Sequence, residues 1–269
     1  MICVPVMAES SREAVRMMKR GFASAEMVEL RLDRISCPSL PALMKVRKGS
    51  LLVTNRRREE GGFFEGSEKD RVNLLAQAVN LGADYVDLEA STGKRWIGHL
   101  KSEIEGRGAV TRLVISHHDF QRTPSWNGLV KRLDACRAYG AYAVKIVTFA
   151  ESVDDNLRLM RLIPRSLAQG QPIIAFCMGP LGRISRLLAP ALGSFITYAS
   201  LRKGAESAPG QFTVAEMRKI MPLIGSNHFR PPRPFETGDS APRRRVRSGA
   251  ADTYLPRDVA ARPSRNQEQ

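Results

Sequence analysis

Eight short apolar runs, separated by longer amphipathic stretches, limit the folds open to this chain. The runs cover residues 2–6, 27–32, 51–55, 85–88, 112–116, 143–147, 173–177 and 195–198. They are rich in Val, Ile and Leu without strict period-two alternation, as strands are when both faces of a parallel sheet are covered. The stretches between them start on polar residues. Ser10, Ser11, Arg12 and Glu13 open the first, and Ala14, Met17, Met18 and Phe22 follow at helical spacing. Ser67 precedes a helix predicted over 70–81 and stopped by Gly82. Thr123 and Pro124 precede one over 126–139 ending at Gly140, and Ser152 one over 154–167 closed by Gly170. Eight such alternations predict an α/β protein, a (β/α)8 TIM barrel over residues 1–224. A doubly wound open sheet fits the same local pattern, although no glycine-rich dinucleotide or phosphate loop follows any run.

Hydrophobic residues make up 43% of the chain, enough for a buried core, while an aromatic content of 6% argues against base stacking as the main task. The 42 basic and 27 acidic residues give a net charge of +15. Such a balance favours anionic partners, whether nucleic acid, acidic lipid or a small carboxylate or phosphate. The basic residues are spread along the chain, so most are expected to form a solvated surface rather than a nucleic-acid face. Cys3, Cys37, Cys136 and Cys177 form no CxxC pair and have no His at zinc-ligand spacing, so they read as small buried hydrophobes. The N-terminus does not have the form of a signal peptide, and no run reaches the roughly 18 apolar residues of a membrane span. A cytoplasmic protein without membrane partners is expected.

From residue 225 to 269 the periodicity stops and Pro, Arg, Ser and Gly dominate. This segment is expected to be a disordered tail. Its cluster of arginines at 243–247 could bind RNA or an acidic surface, although a solvated tail explains it as well.

In a (β/α)8 barrel the C-terminal strand ends converge on one mouth, which turns them into candidates. Glu29 and Arg31 sit two apart and point the same way. Arg56 ends the third run, with Glu60, Gly61 and Gly62 just after it; Arg57 and Arg58 compete with Arg56 for the site. Asp87 and Glu89 end the fourth, and Ser116, His117, His118 and Asp119 the fifth. Lys145 interrupts a Val/Ile strand, where an inward ammonium costs several kcal/mol unless paired or neutralised. A desolvated lysine can attack a carbonyl, although one at a strand end could also reach solvent or pair with Asp87 or Glu89. His118 suits a general base, and His117 should face the other way. Arg186, early in a helix after the seventh strand, suits a carboxylate, and Pro209-Gly210 marks a bend or a lid.

These residues, in this order, resemble type I 3-dehydroquinate dehydratases, the Schiff-base enzymes of the shikimate pathway of aromatic amino-acid biosynthesis. The resemblance rests on Glu29-x-Arg31-x-Asp33, Arg56 with Glu60-Gly61-Gly62, Asp87-x-Glu89, Ser116-x-His118-Asp119-Phe120, Lys145-Ile146, Met178-Gly179 with Ser185-Arg186, and Ser207-Ala208-Pro209-Gly210-Gln211. It implies a lyase dehydrating 3-dehydroquinate to 3-dehydroshikimate by syn elimination, with Lys145 forming the imine. His118 would move the protons and Glu60 hold its ring. Arg186 would clamp the substrate carboxylate; Glu29, Arg31 and Arg56 would read the ring hydroxyls; Ser207 and Gln211 would form a lid. It implies no metal or organic cofactor, and a homodimer. Three arginines around Lys145 would favour its neutral amine. A class I aldolase-like barrel would share the lysine without needing Arg186 and Gln211. A basic RNA-binding protein with an inactive barrel would instead work through the tail.

Overall fold

Apolar side chains on both sides of each run drive it into a covered parallel sheet. The computed structural model describes residues 1–106 and 110–225. In chain order the elements are β1 (Ile2–Val6), α1 (Ser11–Ser24), β2 (Met27–Arg31), α2 (Leu40–Met44), β3 (Ser50–Thr54), α3 (Glu68–Asn80), β4 (Tyr85–Glu89), α4 (Lys94–Gly106) and β5 (Arg112–His118). They continue with α5 (Trp126–Arg137), β6 (Ala143–Phe149), α6 (Val153–Met160), α7 (Leu162–Ala168), β7 (Ile173–Met178), α8 (Arg183–Ala191), β8 (Thr197–Ser200), β9 (Phe212–Thr213) and α9 (Val214–Ile220). The ladders are parallel, in the order β7-β6-β5-β4-β3-β2-β1-β8-β9. Across the seam between β7 and β8 the Phe195 amide donates to the Ile173 carbonyl at 2.7 Å. The sheet therefore curls into the expected barrel, not the open alternative.

Burial explains the arrangement of side chains. Val28, Leu30, Val53, Val86, Leu88, Ile115, Val144, Ile146 and Ala175 join the helices in one large apolar cluster outside the sheet. Met27, Leu52, Tyr85, Val114, Ala143 and Ile174 pack together as an apolar floor inside it. Two residues further along the same strands stand Glu29, Thr54, Asp87, Ser116, Lys145 and Phe176. The inner face thus changes from apolar to mostly polar toward the mouth, so alternation is present but its polarity is graded.

Several local expectations need correction. The eighth strand starts at Thr197, not residue 195, and the two-residue β9 was not expected. The helix expected over 154–167 is split between α6 and α7. Pro164 has no N–H to give the Met160 carbonyl and its ring crowds that carbonyl, which breaks the helix there. Ser125, not Thr123, caps α5, accepting from the Gly128 amide at 3.4 Å. The Thr123 hydroxyl is already engaged with Thr148 at 2.7 Å and the Phe149 carbonyl at 2.8 Å. Cys37 is exposed, unlike the other three cysteines. The disordered basic tail expected from residue 225 onward lies, beyond Gly225 itself, outside the described residues. Among the described residues no helix is long and apolar enough to cross a membrane.

Helix α1 lies close on β1 and β2 because position 21 has no side chain. A Cβ there would come within 2.8 Å of a Val28 methyl and 3.6 Å of a Val4 methyl. Overpacking of this kind costs about 1–3 kcal/mol. Gly21→Val should lower the unfolding free energy by that amount, read as a lower urea midpoint at an unchanged m-value; an unchanged midpoint would show that α1 can move away freely.

Candidate active site

Lys145 projects inward from β6 and is 4% exposed. Its Nζ donates to Asp87 Oδ2 at 3.0 Å, to the Tyr198 hydroxyl at 3.0 Å and to Glu29 Oε1 at 3.5 Å. These partners come from β4, β8 and β2, so the amine sits near the barrel axis.

A chain of buried ion pairs supports it. Arg56 Nη2 donates to Asp87 Oδ2 at 2.8 Å, while its Nη1 reaches Glu89 Oε1 and Ser116 Oγ, each at 2.7 Å. The other Glu89 oxygen takes a bond of 2.7 Å from Arg71, which lies on α3. Burial alone would raise the Asp87 carboxyl; the charges of Arg56 and Lys145 outweigh it and hold that group well below the usual carboxylate range. Arg31 is bound through two nitrogens to Asp33, at 2.8 and 2.7 Å. The register question at the third strand is answered: Arg56 lines the cavity, while Arg57 pairs with Glu59 and Arg58 with Glu65 away from it.

Glu60 is delivered by a short 3-10 turn over Arg58–Glu60, after which Gly61 takes φ +78°. A Cβ on Gly61 would also lie 2.2 Å from the Phe120 ring. The turn brings Glu60 Oε2 to 3.0 Å from His118 Nδ1 and 2.9 Å from the His118 amide, and Ser91 donates to the other oxygen at 2.5 Å. Burial and the Arg56 charge push the His118 imidazole below its ordinary range, against the opposite pull of Glu60. Burial would raise Glu60, but the hydrogen bonds and charge of its neighbours lower it. A neutral ring that gives Nδ1–H to Glu60 leaves Nε2 as the basic nitrogen. His117 faces the opposite way, as expected, and accepts from Arg132 Nε at 2.8 Å.

Arg186 on α8 is 1% exposed, yet its Nε and Nη1 have no hydrogen-bond partner. Its third nitrogen reaches only the Pro209 carbonyl, at 3.4 Å, and its guanidinium lies over Phe176 at 4.4 Å. Burial lowers its affinity for its proton to about 10, which leaves it charged at neutral pH. Ser207 and Gln211 are tied to each other, by Ser207 N–H to Gln211 Oε1 at 3.0 Å and Gln211 Nε2 to Ser207 Oγ at 2.8 Å.

All nine candidate residues line one cavity of about 80 Å³: Glu29, Arg31, Arg56, Glu60, His118, Lys145, Arg186, Ser207 and Gln211. Sequence reasoning missed Tyr198 and Phe176, which line it too. Both stand on strands at the mouth, and the strand-end rule would have selected Tyr198 had it been applied to the eighth strand. The three arginines expected near the amine do line this cavity, but Arg31 and Arg56 are each bound to carboxylates, and Lys145 itself touches two.

Lysine, imidazole–carboxylate pair and unpaired guanidinium, converging at the C-terminal mouth of a parallel barrel, are the equipment of a barrel enzyme that acts on a carboxylated carbonyl compound. A family model described as type I 3-dehydroquinase matches residues 2–228. A 3-dehydroquinate dehydratase of Thermococcus gammatolerans is 39% identical over 226 residues, covering 83% of this chain and 99% of that protein. One from Desulfotalea psychrophila is 36% identical over 219 residues, 81% of this chain and 96% of the relative. The crystal structure of 3-dehydroquinate dehydratase from Geobacillus kaustophilus superposes with a TM-score of 0.76 at 26% identity, over 85% of this chain and 92% of the other. The chain belongs to the type I 3-dehydroquinase family.

Glu89 separates two buried guanidinium groups, so Glu89→Gln would leave both undercompensated. Breaking buried pairs in this way costs about 3–5 kcal/mol. Equilibrium unfolding should show a loss of that size, and a change below about 1 kcal/mol would mean the pairs are solvated.

Proposed function

We propose that Lys145 carries the family's reaction, the dehydration of 3-dehydroquinate to 3-dehydroshikimate in the shikimate pathway, through a Schiff base with the substrate's C3 ketone. The observation that carries this reading is the placement of a buried amine in one cavity with a base and an unpaired cation. Arg186 takes the substrate carboxylate, because its two free nitrogens offer a planar fork that nothing else satisfies. The iminium at C3 draws electrons from the adjacent C2–H bond, and His118 Nε2 removes that proton. The resulting enamine expels the C1 hydroxyl, which leaves as water with a proton returned by His118. Glu60 holds the ring so that Nε2, not Nδ1, faces the substrate. Glu29 and Arg31 are placed to meet ring hydroxyls, and Arg56 holds Asp87 and Glu89. Ser207 and Gln211 close over the ring. Water then hydrolyses the imine and frees Lys145. The same reading takes residues 1–224 as the catalytic barrel, followed by a tail, and the chain as a cytoplasmic homodimer.

Purified chain given 3-dehydroquinate should generate an ultraviolet-absorbing conjugated enone, and borohydride added with substrate should reduce the imine to a stable adduct on Lys145. His118→Ala should still be trapped while turnover falls by about 10²–10⁴. An unmodified Lys145 in active enzyme after that treatment overturns the mechanism.

The pH dependence follows from His118. Its depressed affinity for a proton keeps the ring neutral down to lower pH than a free imidazole, and the base acts only when neutral. The acid limb of kcat/KM should therefore lie below 6.5, the ordinary imidazole value. A limb at or above that value would show that Glu60 dominates over burial.

A further inference from the structure

One polar group in the cavity has no part in the chemistry described above. Tyr198 is 4% exposed, and its ring stands 5.6 Å from that of Phe176 and 4.7 Å from Lys145 Nζ. These contacts fix its hydroxyl at 3.0 Å from the nitrogen. Asp87 and Glu29 touch the same nitrogen, but ionised carboxylates only accept. The Tyr198 hydroxyl accepts from Nζ and still carries a hydrogen of its own, for which the described residues offer no acceptor.

We propose that Tyr198 is a further catalytic residue, its hydroxyl relaying protons between Lys145 Nζ and the oxygen of the substrate carbonyl during imine formation and hydrolysis. The inference rests on the reading of Lys145 as the imine-forming residue. An ammonium and a ketone give an iminium and water, so two protons must travel from nitrogen to oxygen. In the first transfer Nζ gives a proton to the phenol oxygen while the phenol gives its own to the carbonyl oxygen. The freed nitrogen lone pair bonds to C3, and the C=O π pair becomes the carbinolamine hydroxyl. A second relay protonates that hydroxyl. The C–O bond then breaks, water leaves with the bonding pair, and the nitrogen lone pair completes C=N. The phenol ends each transfer as it began. Hydrolysis runs the same steps backward.

The geometry suits this task. The oxygen on the carbon under attack is two bonds from Nζ, so a hydroxyl already hydrogen-bonded to Nζ reaches it without moving a side chain. Burial keeps the Tyr198 phenol well above its usual range, so it stays protonated and passes protons on rather than holding them. His118 is left free for the protons at C2 and C1.

Tyr198→Phe keeps the ring and removes only the hydroxyl. In single-turnover borohydride trapping with 3-dehydroquinate, the adduct on Lys145 should appear about ten to a hundred times more slowly, at or below the low end of general acid–base effects. The kinetic isotope effect from deuterium at C2 should shrink toward unity, because imine formation becomes slower than C–H cleavage. A residue that only packs would alter KM and leave both readouts unchanged, and that result overturns the proposal. Should the variant fail to fold, wild-type imine formation followed in heavy water decides the matter. A normal solvent isotope effect is expected, and its absence sinks the relay. Wild type that yields no adduct overturns the Lys145 reading and this inference together. Adduct formation in wild type with an unchanged rate in Tyr198→Phe overturns this inference alone.

Discussion

The ion pairs Arg71–Glu89, Arg56–Glu89, Arg56–Asp87 and Lys145–Asp87 run from an outer helix to the barrel axis, and they position the amine there. A buried charge costs several kcal/mol unless it is paired and hydrogen-bonded, so none of these groups can move far alone. The planar Arg56 fork bridges Asp87 and Glu89 on β4 and reaches Ser116 on β5, while Lys145 reaches across from β6. Strand ends that a parallel ladder would hold only edge to edge are thereby tied across the mouth. Rigid support of this kind is what a reacting amine needs, since productive geometry tolerates errors of only about 0.5 Å.

Arg186 stands outside this network. Its neighbours are an aromatic face and one distant carbonyl, and its buried nitrogens lack the partners that native interiors almost always supply. Leaving it so costs stability, and a carboxylate brought by the substrate would recover it. The contrast with Arg56 is informative: of two arginines buried almost equally, the one faced by acidic strand residues is paired within the site, and the other keeps two nitrogens without a partner among the described residues.

Much of this was legible in the chain. Runs such as 112–116 and 143–147 announced strands because their outward positions pack against helices and are all apolar. The strand-end rule then selected Lys145 and His118 as candidates, and the helix after the seventh strand added Arg186, without knowledge of contacts. What local pattern could not carry was pairing across strands. Asp87 and Glu89 were visible as charges, but nothing in their spacing showed that Arg56 would claim both and that Lys145 would share Asp87. Tyr198 escaped because an aromatic residue in an apolar run reads as core and the strand-end rule was not carried to the eighth strand; its contacts with Lys145 on β6 and Phe176 on β7 appear only in the folded barrel. The helix break at Arg161 was written in Pro164, a signal outweighed by the apolar periodicity on either side.

Two carboxylates beside the amine change what the site has to accomplish. Asp87 and Glu29 face the nitrogen with negative charge, and the proposed Schiff-base route carries positive charge there both before and after condensation, first as ammonium and then as iminium. The same fixed dipoles and charges serve both states without rearrangement, which is the condition under which electrostatic stabilisation costs least during reaction. In the proposed route, moving protons between nitrogen and oxygen then needs a group that can donate as well as accept, a role that the acceptor-only carboxylates at Nζ cannot fill.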